Sequence, residues 1–148
     1  MEQKTIQSQK VYYKTVKTNL RNIQKYVGAL PAEIMEKATQ LELNICGPQI
    51  WRYIGSDGNP ETEFTLQVGL PVDGNTDNVE GIGEFEPFKC VTFIHEGSWA
   101  EFGKAYERII GEVMVAGHKM SGETREIYHQ VDFENETNNV TEIQIGII

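Results

Sequence analysis

Cysteine is scarce: Cys46 and Cys90 are the only two in 148 residues, and no ligand-type spacing surrounds them. That excludes a disulfide-stapled framework and leads us to expect a reduced, cytoplasmic setting. No run of about 18 apolar residues occurs, and residues 1–10 are polar, so the sequence carries neither a membrane-helix pattern nor a secretory signal. Runs of positive charge are missing as well. The 13 Lys and Arg are scattered among 22 Asp and Glu, for a net charge of −9. A phosphate backbone would find no electrostatic footprint here, and direct nucleic-acid binding is not expected. No helix-turn-helix pattern precedes the first strand. His95, His118 and His129 stand too far apart for a metal-ligand motif. Neither Cys46 nor Ser98 lies in a nucleophile elbow, and Gly81-Ile82-Gly83 is a turn signal without the helix-opening glycines of a phosphate loop. Neither a metal nor a cofactor is expected.

What is present is an ordinary globular composition, 39% apolar and 24% charged, sufficient for one substantial core and hence a single domain over residues 1–148. Residues 11–17, rich in Val, Tyr and Thr, read as a first strand after a frayed start. Leu20, Ile23, Val27, Leu30, Ile34, Ala38 and Leu41 recur at helical spacing to about Ile45, with Gly28 and Pro31 marking a break into two pieces. Residues 49–54 and 64–72 read as strands around the turn formers Ser56-Asp57-Gly58-Asn59-Pro60. Residues 73–82 are a polar, Gly- and Asn-rich crossover. A strand over 84–95 follows. Ser98-Trp99-Ala100-Glu101 has the capping-box pattern, opening a helix that ends near Ala116-Gly117. Two strands over 124–133 and 140–148 close the chain through the polar loop 134–139.

Each half therefore reads β-α-β-β. Leu66-Gln67-Val68-Gly69-Leu70 reappears as Ile143-Gln144-Ile145-Gly146-Ile147 after a shift of 77 residues, which also lays Trp51 on Tyr128. The expected fold is an α+β duplication, with halves at about 9–75 and 84–148 related by a pseudo-twofold, an antiparallel sheet, helices on one face, and a ligand cleft between the halves. Strand parity places Ile50, Ile54, Leu66, Val68, Ile127, Val131, Ile143 and Ile145 under the helices. Gln49, Trp51, Tyr53, Glu126, Tyr128 and Gln130 are then expected to share the opposite face with Thr65, Gln67, Gly69, Glu142, Gln144 and Gly146. On that reading they line the cleft, and the glycines keep it open.

Trp51, Tyr53 and Tyr128 around Glu126 suit a flat hydrophobic or cationic molecule, because aromatic faces attract cations and a buried carboxylate needs a positive or hydrogen-bonding partner. Tyr106 is expected to join them from the second helix. Trp99 and Phe102 lie on the same helix but on a face equally suited to the core.

Pro71-Val72 at a strand end, His95-Glu96-Gly97-Ser98 through Tyr106, Arg125-Glu126-Ile127-Tyr128 and Thr141-Glu142-Ile143-Gln144-Ile145 together resemble, in that order, GyrI-like small-molecule-binding domains. The family includes effector-binding domains of multidrug-responsive bacterial transcription activators and a gyrase-inhibitory protein. The resemblance covers roughly residues 9–148. It implies the duplicated fold, and it implies that Glu126, with Tyr128 beside it, faces lipophilic cations among aromatic rings. Lacking a DNA-binding segment, the chain is expected to act as a stand-alone sensor or sequestering protein. Two alternatives follow from the resemblance. One is a hydrolase of cyclopropane-bearing xenobiotics, with Glu126 and Glu142 as paired carboxylates in one cleft; the other is a protein-binding modulator such as a gyrase inhibitor.

Overall fold

The computed structural model describes residues 1–148, the side chains of Tyr26 and Val27 aside. The strands are β1 (Glu2–Ile6), β2 (Gln9–Thr18), β3 (Asn44–Ile45), β4 (Ile50–Ile54), β5 (Phe64–Asp73), β6 (Ile82–Phe85), β7 (Phe88–Glu96), β8 (Met120–Gln130) and β9 (Val140–Ile147). Helices α1 (Ile23–Val27) and α2 (Leu30–Gln40) lie between β2 and β3, and α3 (Phe102–Val115) lies between β7 and β8. Eight strands form one antiparallel sheet in the order β1-β7-β9-β8-β4-β5-β2-β6, and β3 pairs with β5. The fold is α+β. Strands β4 and β8 meet at the centre, so the sheet has β2, β5 and β4 on one side of the seam and β7, β9 and β8 on the other.

The helices sit where their apolar stripes demand. In α2, Pro31 falls in the first turn, where its missing N–H costs nothing, and the i, i+4, i+8 row Leu30, Ile34, Ala38 packs on Phe64, Leu66, Val68 and Leu70. In α3 the equivalent row Ala105, Ile109, Val113 covers Val91, Phe93, Ile143, Ile145 and Ile147. Each fully buried aliphatic side chain in these clusters contributes about 1.5–3 kcal/mol.

Several expectations change at the edges. The polar stretch read as frayed forms β1, which pairs with β7 from Glu2 opposite Thr92 to Ile6 opposite Phe88. Backbone pairing at a sheet edge needs no apolar alternation, so the segment left no periodic signal. The helical reading to Ile45 overshoots: Glu42 takes a left-handed φ of 56°, and Leu43 and Ile45 reach the same core from extended chain. The crossover ends in β6, which adds to β2. At Ser98 the side chain accepts from the Ala100 N–H at 3.1 Å and opens a single 3-10 turn, Trp99–Glu101, ahead of α3. Its hydroxyl donates to Glu136, so the cap ties α3 to the β8–β9 loop.

One connection shapes the whole sheet. β6 lies at one end of the strand order and β7 near the other, yet only Glu86 and Pro87 separate them. Those two residues let the ends of β6 and β7 stand at most about 11 Å apart. The sheet must therefore curl until its ends approach, closing over the face away from the helices. That inner face holds Val11, Ile50 and Phe85, with the buried Arg125 guanidinium 4.2 Å above Phe88 and 5.4 Å from Phe85. The helices ride on the convex side.

Candidate functional site

Register decides which residues share a face, since partners directly opposite in an antiparallel ladder point the same way. Trp51 stands opposite Val68 and also opposite Glu126, Tyr53 opposite Leu66, and Glu126 opposite Ile143. Trp51, Tyr53, Glu126 and Tyr128 therefore belong to the convex, helix-covered face, together with the aliphatics of β5 and β9. Ile50 pairs with Gly69 and Ile127 with Glu142, on the concave face. The alternation expected within each strand is present, but the phase between strands is reversed from expectation. Carrying the 77-residue shift through the hairpins would pair Tyr128 with Ile145; the ladder pairs it with Thr141.

At the β4–β8 seam, between α2 and α3, a carboxylate is enclosed by phenols. Glu126 is 3% exposed. Its Oε1 accepts from the Tyr53 hydroxyl at 2.8 Å and the Tyr128 hydroxyl at 2.6 Å, and its Oε2 accepts from Tyr106 at 2.5 Å. Among the described residues no basic side chain pairs with it. Burial pushes its carboxyl above the ordinary value, against the three phenol hydrogen bonds that pull it down. Burial, and then the neighbouring carboxylate, push all three tyrosine hydroxyls well up, so the phenols stay protonated donors.

The surrounding rings are held in place. Trp51 tilts against Tyr128 at 5.5 Å, and its indole N–H donates to Gln49 at 2.8 Å. Trp99, on the turn before α3, meets the same Tyr128 ring edge-on at 5.6 Å and donates to Thr141 Oγ1 at 3.2 Å. Phe102 stands edge-on to Tyr106 at 6.0 Å, with His95 beyond it at 4.9 Å. The residues singled out from sequence, Trp51, Tyr53, Tyr106, Glu126 and Tyr128, thus do meet, and Trp99 and Phe102 extend the ring wall. Two surface hollows of about 550 and 580 Å³ lie elsewhere, between α3 and the start of β1, lined by Met1, Arg108 and Glu112. Neither reaches Glu126, whose rings are closed upon it.

Glu142 does not join this site. It lies on the concave face, where Thr92 Oγ1, Gln144 Nε2 and His129 Nε2 contact it at 2.8, 2.9 and 2.9 Å and Lys4 at 3.6 Å. Burial would raise its carboxyl, but the hydrogen bonds from Gln144, His129 and Thr92, with Lys4 nearby, hold it down at about 2. Glu126 and Glu142 therefore project to opposite sides of the sheet, and the expectation of two carboxylates in one cleft is corrected. The glycines are corrected too. Gly69 and Gly146 share the concave face, and a Cβ on Gly146 would fall 2.2 Å from Ser121 Oγ, so Gly146 permits close packing rather than an open cleft.

Sequence reasoning missed a second polar cluster. Arg52 and Arg125 face each other across the seam. Glu123 binds both, Arg52 through Nε and Nη2 at 2.9 and 3.0 Å and Arg125 through Nε at 2.8 Å. Their mid-strand position in phase with Gln67 was the available signal. Among the described residues no three potential metal ligands gather, and no helix is long and apolar enough to cross a membrane.

The profile of the GyrI-like small molecule binding domain matches residues 1–148. No curated protein matches the chain significantly in sequence. Among solved structures, EcmrR in the EcmrR–DNA complex of EcmrR-RPo is similar with a TM-score of 0.79 and 20% identity; the match covers 98% of this chain and 56% of EcmrR. The isolated EcmrR C-terminal domain gives 0.74 and 20%, over 99% and 95% of the two chains. SAV2435 bound to tetraphenylphosphonium gives 0.69 and 12%, over 99% and 93%. A hydrolase from Listeria innocua gives 0.53 and 12%, over 99% and 92%. At these identities the likeness is one of fold.

Proposed function

This chain belongs to the GyrI-like small molecule binding domains, and on that premise we propose that it takes up a lipophilic organic cation between α2 and α3, with Glu126 opposite the positive charge. The carrying observation is the state of Glu126, 3% exposed and, among the described residues, bonded only by the hydroxyls of Tyr53, Tyr106 and Tyr128. A buried carboxylate without a cation is expensive, and such a group persists where a cationic partner arrives from outside. The rings of Trp51, Tyr53, Tyr106 and Tyr128 supply negative π faces, each worth about 1–2 kcal/mol to a desolvated cation. Because the rings close on Glu126, a ligand must part them on its way in, and the half-exposed rims of Trp51, Trp99 and Phe102 are where that parting begins. SAV2435, bound to tetraphenylphosphonium, has a similar fold and supports this class of ligand. The role is sensing or sequestration; in EcmrR a C-terminal domain of similar fold belongs to a protein found in complex with DNA.

Titrating tryptophan fluorescence with tetraphenylphosphonium and with neutral triphenylphosphine oxide tests the reading. Saturable binding of the cation at least about tenfold tighter than the neutral molecule is expected, a difference of about 1.4 kcal/mol. Equal affinity, or no saturable binding of either, defeats it.

A further inference from the structure

The loop between β8 and β9 is built with more care than a solvent-facing connection needs. The Asp132 side chain accepts from the Glu134 and Asn135 amides at 2.9 Å each and from Asn138 Nδ2 at 3.0 Å. Asn139, 1% exposed, accepts from the Asp132 amide at 2.6 Å, and its carbonyl accepts from the Gly97 amide at 2.9 Å. Glu136 receives the Ser98 hydroxyl at 2.8 Å. All of this fixes one apolar side chain in an exposed place. Phe133 is 82% exposed, contributes to none of the buried clusters, and stands edge-on to Trp99 at 5.9 Å. From it a row of rings leads inward, Phe133 to Trp99, Trp99 to Tyr128 at 5.6 Å, and Tyr128 by its hydroxyl to Glu126.

We propose that Phe133 and Trp99 form an outer aromatic station, where an aromatic cation is captured on its way to Glu126 and which it leaves once seated. The inference rests on the reading of Glu126 as the cation site. Both rings are partly in water, so a passing cation is held weakly there, while Trp99 sits on a single 3-10 turn flanked by Gly97 and can turn aside more readily than a residue within α3. Phe133 is thus a residue that sets rate without setting final affinity. A contact made only in passage lowers the barrier equally in both directions, so its loss slows association and dissociation by the same factor.

Stopped-flow tryptophan fluorescence with tetraphenylphosphonium, on wild type, Phe133→Ala and Phe133→Tyr, reads this directly. Phe133→Ala is expected to slow both rate constants about two- to fivefold, the worth of one exposed cation–π contact, with an unchanged dissociation constant and thermal midpoint. Phe133→Tyr is expected to restore wild-type rates. Unchanged rates in Phe133→Ala overturn the station. A rise in dissociation alone also overturns it, by placing Phe133 in the final site. Wild type that binds no cation removes the Glu126 reading and this inference together, whereas wild-type binding with indifferent Phe133 variants removes the station only.

Discussion

Glu142 offers a quantitative test of the face assignment, because its role follows entirely from its lying on the concave side. Its carboxyl is held from the ordinary 4.5 down to about 2 by Gln144, His129, Thr92 and Lys4, in spite of burial. A depression of that size corresponds to about 3 kcal/mol at most, at about 1.36 kcal/mol per pH unit. The Lys4 and His129 side chains are 38% and 43% exposed, so solvent screening reduces the figure to about 2 kcal/mol. The sign follows from the direction: with the folded value depressed, this stability is complete above about pH 4.5 and is lost as pH falls toward 2. Glu142→Gln cannot carry the charge, and it turns one amide N–H toward donors that need an acceptor. Urea unfolding should therefore show the variant about 2 kcal/mol less stable than wild type at pH 7, with the gap closing between pH 4.5 and 2. Tetraphenylphosphonium affinity at pH 7 should stay within about twofold, since Glu126 lies across the sheet. A gap that does not change with pH would refute the charge argument, and a loss of cation affinity as large as that caused by changing Glu126 would refute the separation of the faces.

Glu126 carries the opposite sign. Its folded value is raised above the ordinary 4.5, so wild-type stability declines as pH climbs from there through the raised value, whereas Glu126→Gln shows no such decline. Thermal midpoints from pH 4 to 8 should find Glu126→Gln at least as stable as wild type at pH 8, and a variant more than about 1 kcal/mol less stable there would contradict the burial argument. Gly146→Ala puts a Cβ 2.6 Å from the Glu123 carbonyl oxygen as well as against Ser121, and should cost about 2 kcal/mol or more. Gly103→Ala in α3 meets nothing within 4 Å and should add about 0.5–1 kcal/mol; chemical denaturation of the pair checks both, and equal effects would count against the packing described.

Strands β2, β4, β5, β8 and β9 and the helices α2 and α3 were legible because each carries its own period, two or 3.6, along a half-buried element. The edge strand β1 was not, since pairing there rests on backbone groups and leaves side chains free to be polar, and the single strand expected over 84–95 merged the end of β6 with β7 across Glu86 and Pro87. The face error has a more specific cause. Alternation within a strand says which residues go together but not on which side, and the phase between β4 and β5 is set by their hairpin register. Ile50 therefore looked like a partner for Leu66, although the ladder gives that place to Tyr53. These residues still come together because Trp51, Tyr53, Glu126 and Tyr128 keep one parity across β4 and β8, whichever face that is. Tyr106 was expected beside them from α3, but the closing of its hydroxyl and those of Tyr53 and Tyr128 onto the one Glu126 carboxylate was not readable, because the depth at which a helix docks on a sheet leaves no local trace in sequence. The Arg52–Glu123–Arg125 cluster was missed because it depends on the β4–β8 register, which sets Arg52 opposite Arg125 with Glu123 beside both.

The measurement that bears most directly on the central claim is a calorimetric comparison of wild type and Glu126→Gln, each titrated with tetraphenylphosphonium and with neutral triphenylphosphine oxide at pH 8. A desolvated charge pair of this kind is worth about 1–3 kcal/mol. Glu126→Gln is expected to weaken cation binding by about 5- to 150-fold and to leave the neutral molecule within about twofold of wild type. Equal weakening of both ligands, or an unchanged affinity for the cation, would contradict it.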